Sequence, residues 1–259
     1  MNAPLQSFAW WCFSNRGVDA GTLLAHAART GYAGVDLLDE TLWPVAARHG
    51  LRLACIAGHG TLRDGLNRPE NAIRIEAELR ANIAKAAAHS IPVLICFSGD
   101  RHGASDDEGL AVCADTLARV APSAEAAGVT LAVELLNSRV DHPGYQADRT
   151  AWGVRLCERV NSPAVKLLYD IYHMQIMEGD VIRTIEREHR WFAHYHTAGN
   201  PGRGDLNATQ ELNYPAILRA IARTGFQGYI AHEFLPAADP LAALTHAHAV
   251  TRDAFSEIR

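Results

Sequence analysis

Residues 129–170, VTLAVELLNSRVDHPGYQADRTAWGVRLCERVNSPAVKLLYD, read as strand, loop, helix and strand in succession. The runs VTLAVELL (129–136) and VKLLYD (165–170) are too short for helices and mostly apolar on both parities. That is how a strand buried on both faces reads. A helix is expected between them at 147–160. Working outward, the same short runs recur as SFAWWCF (7–13), AGVDLL (33–38), LRLACIA (51–57) and PVLICFS (92–98) before this stretch. WFAHYHT (191–197) and GYIAHEF (228–234) follow it.

Helical segments lie between these runs. Ala20–Thr30 is rich in Ala and Leu and stops at Gly31. Glu70–His89 sets Ile73, Ala77, Ala81 and Ala84 on one face, with Glu76, Glu78, Arg80 and Lys85 available to solvent. Asp107–Ala127 stops at Gly128. Further helices are expected at 178–189, 213–224 and 239–256. Strict alternation of strands and helices implies a parallel sheet covered by helices. Eight such units in 259 residues favour closure into a (β/α)8 TIM barrel, expected as one domain over residues 1–259. No Gly-rich phosphate fingerprint follows an early strand, which disfavours the open doubly wound sheet.

Hydrophobic residues make up 48% of the chain and charged residues 20%, enough for a large core. A net charge of −5 argues against a surface that holds nucleic-acid phosphates. The five cysteines, Cys12, Cys55, Cys96, Cys113 and Cys157, are scattered without CxxC spacing and read as reduced core thiols. No apolar run has the length of a membrane span. The stretch MNAPLQSFAWW lacks the basic start and long apolar run of a signal peptide. A soluble cytoplasmic protein is expected, with no membrane partner. A homo-oligomer is compatible with this reading, but nothing in the sequence fixes an interface.

Four ligand-type side chains fall at or near the ends of the last four strands: Glu134, Asp170, His196 and Glu233. In a barrel, successive strand ends ring one opening. Three carboxylates in a dry pocket resist ionisation without a counter-charge, and a divalent cation supplies it. Three carboxylates and one imidazole suit Mn²⁺ or Mg²⁺, with Co²⁺ or Fe²⁺ as alternatives. Each residue also has a plainer reading: Asp170 as the cap of the turn that follows it, His196 as a packed core histidine. His173 is expected on the loop leaving strand six, and Arg203 in the loop NPGRG (200–204) leaving strand seven. They are candidate contacts to a substrate hydroxyl and carboxylate. The alternatives are a surface histidine and a solvated cation. His59, after strand three, is a candidate substrate contact. Trp10, Trp11 and Phe13 either wall the pocket or pack in the core. Tyr214 is read as a packing residue at the entry to helix seven.

These motifs, ELLN (134–137), YDIYHMQ (169–175), NPGRG (200–204), ELNY (211–214) and HEF (232–234), resemble those of the hydroxypyruvate isomerase family. That family sits within the xylose-isomerase-like TIM barrels, with the ketose 3-epimerases and endonuclease IV. The resemblance covers residues of about 129–235 and leaves the N-terminal half unassigned. It implies that Glu134 and Glu233 bind metal and act as the acid/base pair, and that Asp170 is a ligand. His196 stands where hydroxypyruvate isomerases can carry Gln and the epimerases carry His, which leaves the substrate open. The implied reaction converts hydroxypyruvate to tartronate semialdehyde through a cis-enediolate, with Arg203 on the substrate carboxylate. The rivals are a ketose 3-epimerase or 2-oxo-tetronate isomerase with the same metal and glutamates, an abasic-site endonuclease, and a barrel that only binds a sugar acid.

Overall fold

The apolar runs form the strands of the computed structural model, which describes residues 3–257. They are β1 (Leu5–Phe8), β2 (Gly34–Asp36), β3 (Arg52–Ala57), β4 (Val93–Cys96), β5 (Thr130–Glu134), β6 (Val165–Asp170), β7 (Phe192–Thr197) and β8 (Tyr229–His232). They make one parallel sheet in the order β1-β8-β7-β6-β5-β4-β3-β2, a nearly closed barrel with surrounding helices. The helices are α1 (Trp10–Phe13), α2 (Ala20–Thr30), α3 (Trp43–Arg48), α4 (Ala72–Ala88) and α5 (Asp106–Ala127). They continue with α6 (Thr150–Val160), α7 (Ile171–Met177), α8 (Val181–Glu188), α9 (Tyr214–Arg223) and α10 (Pro240–Ser256). Residues 1 and 2 of the N-terminal stretch lie outside the described residues. Among the described residues, no helix is long and apolar enough to cross a membrane.

The chain divides into two compact units. The first takes residues up to Ala54, Asp180–His189 and Tyr195 onward. In it β1 pairs with β8, Phe8 opposite His232, and β8 pairs with β7, Thr197 opposite His232. The Ala33 N–H donates to the Gln6 carbonyl at 2.9 Å, and a bridge from Ala9 to Asp36 joins the end of β1 to β2. An aromatic cluster fills its core: Phe8 packs edge-on against Phe13 and Tyr32, and Phe13 against Phe234. The second unit takes Cys55–Gly179 and Arg190–His194. There β3, β4, β5 and β6 pair in sequence, and Glu134 at the end of β5 lies opposite Leu168. Leu94, Ile95, Leu131, Val133 and Leu167 are fully buried, as strands covered on both faces require.

Helix ends follow local chemistry. Asp19 caps α2 by accepting from the Thr22 N–H at 3.0 Å. Ser105 and Glu108 form a reciprocal capping box at the start of α5. Gly31 and Gly128 close α2 and α5 in the left-handed region, at φ 112° and 66°, where a Cβ would be strained.

The structure corrects three expectations and adds one helix. The first strand ends at Phe8, and Trp10–Phe13 form one helical turn closed by the Ser14 N–H on the Trp10 carbonyl. A short apolar run cannot separate a buried turn from a strand. Trp43–Arg48 form α3, a helix of six residues too short for a periodic signal, with Pro44 in its first turn. His173 sits within α7 and not on a loop. The inward face of α4 carries Ile75, Leu79, Ile83 and Ala86, while Ile73 is 86% exposed and Ala77, Ala81 and Ala84 are also exposed. Burying three branched side chains, at about 1.5–3 kcal/mol each, outweighs burying one isoleucine with three alanines.

Candidate functional site

In the first unit the acid Glu233 directly follows β8, and its N–H still donates to the Thr197 carbonyl at 2.9 Å. This ladder bond fixes its backbone. The carboxylate is gripped on both oxygens. Trp11 Nε1 donates to Oε1 at 2.9 Å, and Arg203 Nη2 donates to Oε2 at 2.5 Å. His196 Nδ1 lies 3.0 Å from the same Oε2, and its Nε2 lies 3.5 Å from Asp36 Oδ2. Burial alone would raise the pKa of Glu233. The charges of His196 and Arg203, with the hydrogen bonds from His196 and Trp11, overcome it and hold the acid well below the usual carboxylate range. Cys12, packed nearby, has its thiol pushed far up by burial and by the Glu233 charge, so it stays neutral.

The Arg203 loop is built for close approach. Gly199 and Gly204 exchange backbone hydrogen bonds at 2.7 and 3.1 Å, and a Cβ on Gly199 would stand 2.5 Å from the Asp205 carbonyl. Arg203 itself is left-handed at φ 54°. Its guanidinium lies 5.2 Å from the centre of the Trp11 ring, in cation–π range. Asn200 bonds Glu211, and the Tyr214 hydroxyl both donates to the Ala198 carbonyl and accepts its N–H. Tyr214 is thus a clasp for this loop as well as a packing residue.

In the second unit Glu134 ends β5, and its carbonyl accepts from the Tyr145 hydroxyl at 3.0 Å. Asp170 ends β6 and caps α7, taking the His173 N–H on Oδ1 at 3.0 Å. The capping reading therefore holds, and the other oxygen, Oδ2, lies 3.7 Å from His173 Nε2. His173 is fully buried. His59 is buried as well, and its Nε2 accepts the Phe97 N–H at 2.9 Å. Burial lowers its pKa to about 4, so the ring is neutral and one nitrogen is committed to the backbone. All five cysteines are free and buried.

Among the described residues, buried side chains of metal-ligand type include Glu134 and Asp170 in the second unit and Asp36, His196 and Glu233 in the first. Glu134, Asp170, His196 and Glu233 are the four that the sequence singles out. The sequence does not single out Asp36, and it offers Trp11 only as pocket wall or core, with no contact to Glu233. Asp36 ends a three-residue strand with no motif around it, and Trp11 was grouped with its aromatic neighbours.

A family model for xylose isomerase-like TIM barrels matches residues 16–254. The chain belongs to this family. The 2-oxo-tetronate isomerase of Cupriavidus necator is 37% identical over 130 residues, 50% of this chain and 49% of that protein. Hydroxypyruvate isomerase of Escherichia coli is 32% identical over 108 residues, 42% and 41% of the two chains. The chain thus spans about half the length, or less, of these curated relatives. A solved structure of L-ribulose 3-epimerase superposes with a TM-score of 0.81 over 98% of this chain and 96% of that one, at 20% identity. That likeness shows the fold alone, and one fold hosts many chemistries.

Proposed function

We propose that the chain is a metal-dependent isomerase that interconverts a small α-hydroxy aldehyde/ketone pair through a cis-enediolate. The substrate is a short sugar acid such as hydroxypyruvate, and Glu134, Asp170, His196 and Glu233 hold one divalent cation. The observation that carries this reading is the donor set itself. Three acids and an imidazole, all buried, stand at or next to the ends of β5, β6, β7 and β8. Three buried carboxylates need a positive partner. An oxygen-rich set suits Mn²⁺ or Mg²⁺, with Co²⁺ or Fe²⁺ as alternatives.

A bound cation would polarise the substrate carbonyl and acidify the neighbouring C–H. The chain's own groups do the rest. One glutamate, Glu134 or Glu233, takes the proton from carbon, the hydroxyl proton passes to the former carbonyl oxygen, and a proton returns to the adjacent carbon. Glu233 is held ionised, the state a base needs. Arg203 holds the substrate carboxylate, and His173 assists at a substrate oxygen. The buried thiols agree with a reducing, cytoplasmic setting.

A 2-oxo-tetronate is the second substrate to consider, because the relative at 37% identity bears the name 2-oxo-tetronate isomerase. Hydroxypyruvate, 2-oxo-tetronates and ketohexoses, offered with Mn²⁺ or Mg²⁺, separate these readings from a ketose 3-epimerase. Turnover in deuterium oxide should place deuterium on the substrate carbon. Glu134→Gln and Glu233→Gln should each abolish turnover while the circular dichroism spectrum is kept. Near-normal activity in either variant defeats the two-glutamate mechanism.

A further inference from the structure

Asn137 follows β5, and its side-chain amide has only one way to face. Its Oδ1 accepts the backbone N–H groups of Val140 and Asp141, each at 2.9 Å. Backbone N–H groups only donate, so this atom is the oxygen and the amide cannot be flipped. Nδ2 therefore lies on the other side, 2.6 Å from Asp141 Oδ2 and 2.6 Å from His173 Nδ1. The Asn137 backbone N–H also donates to the same Nδ1, at 3.2 Å. The Tyr172 hydroxyl donates to Asp141 Oδ2 at 2.9 Å, holding the acid that receives the second amide hydrogen.

A ring nitrogen that accepts two N–H donors carries a lone pair and no proton. We propose that Asn137 is a positioning residue that fixes His173 as the neutral Nε2–H tautomer. His173 then acts on the substrate as a hydrogen-bond donor and not as a base. The donor role rests on the reading above that His173 faces the substrate; the tautomer does not. Nε2 is on the Asp170 side of the ring, at 3.7 Å from Oδ2. A neutral imidazole in that place stabilises negative charge on a substrate oxygen without taking the proton, and proton transfer at carbon is left to the glutamates.

The test is nitrogen-15 spectroscopy of histidine-labelled, Mg²⁺-loaded full-length protein near neutral pH. The signals that vanish in His173→Gln identify the ring. The expected pattern is a protonated Nε2 with an unprotonated Nδ1. A protonated Nδ1, in either the other tautomer or the imidazolium, overturns the proposal whatever the substrate proves to be.

The double variant Asn137→Asp with Asp141→Asn supplies the second measurement. It keeps an oxygen for the Val140 and Asp141 N–H groups and reverses the polarity facing His173. The proton should move to Nδ1, and kcat on the substrate that the wild type turns over should fall about tenfold or more, with KM changed by less than about twofold. An unchanged tautomer in the double variant defeats the assignment to Asn137. A switched tautomer with unchanged kcat defeats the donor role and leaves the tautomer assignment standing.

Discussion

The indole N–H of Trp11 donates to Glu233 Oε1 at 2.9 Å, joining residues 222 positions apart in sequence. Trp11 is 44% exposed, and the Arg203 guanidinium that also bonds Glu233 lies over its ring. Trp11→Phe keeps an aromatic face for Arg203 and removes the donor. Turnover should fall about tenfold, close to 1.4 kcal/mol, with the melting temperature nearly unchanged. An unaltered kcat in steady-state assays would show that the indole does not tune Glu233.

Asp36 is fully buried at 3.5 Å from His196 Nε2, while His196 Nδ1 faces Glu233. A carboxylate behind a ligating imidazole orients the ring and raises its basicity. Asp36→Asn should weaken Mn²⁺ binding about 10- to 100-fold by calorimetry. Elemental analysis of the wild type should give one cation per chain. Two per chain would defeat the single-cation reading.

His59 predicts a pH dependence of stability. Its folded pKa, about 4 against an ordinary 6.5, is lowered chiefly by burial. The unfolded chain therefore takes up the proton first as the pH falls. Stability from the neutral ring is complete above about 6.5 and declines as the pH drops toward about 4, by about 1.4 kcal/mol per unit at most. His232 acts in the same direction, with a pKa of about 3 set by burial and the neighbouring His248. Urea midpoints measured across this window should fall less steeply for His59→Gln than for the wild type. Parallel curves would remove His59 from the account.

The two faces of α4 predict opposite outcomes for one substitution. Ile83→Ala opens space beneath the helix and should cost about 2–4 kcal/mol. Ile73→Ala, at 86% exposure, should stay within about 0.5 kcal/mol. Denaturant unfolding of both variants checks the register of the helix.

The strand–helix alternation is legible because strands covered on both faces must be apolar at nearly every position, as in β4. The acids Glu134, Asp170 and Glu233 stood out for the same reason, as charges interrupting apolar runs at their ends. Trp10–Phe13 reads as strand and folds as a helical turn because apolar content alone drives both. Ala77, Ala81 and Ala84 do not mark the buried face of α4 because alanine tolerates either side of a helix and gives little direction. Asp36 and Asn137 escaped notice as functional residues because their roles depend on His196 and His173, which are remote in sequence and close only in the fold.

Asp170 holds one oxygen on the His173 backbone as part of the fold itself. A carboxylate on a free side chain surrenders torsional freedom each time it coordinates a cation. In this chain that loss is incurred during folding, when α7 starts. The same arrangement makes Asp170 a point of shared failure: Asp170→Ala should remove both an oxygen of the proposed metal-binding set and the cap of the helix that carries His173.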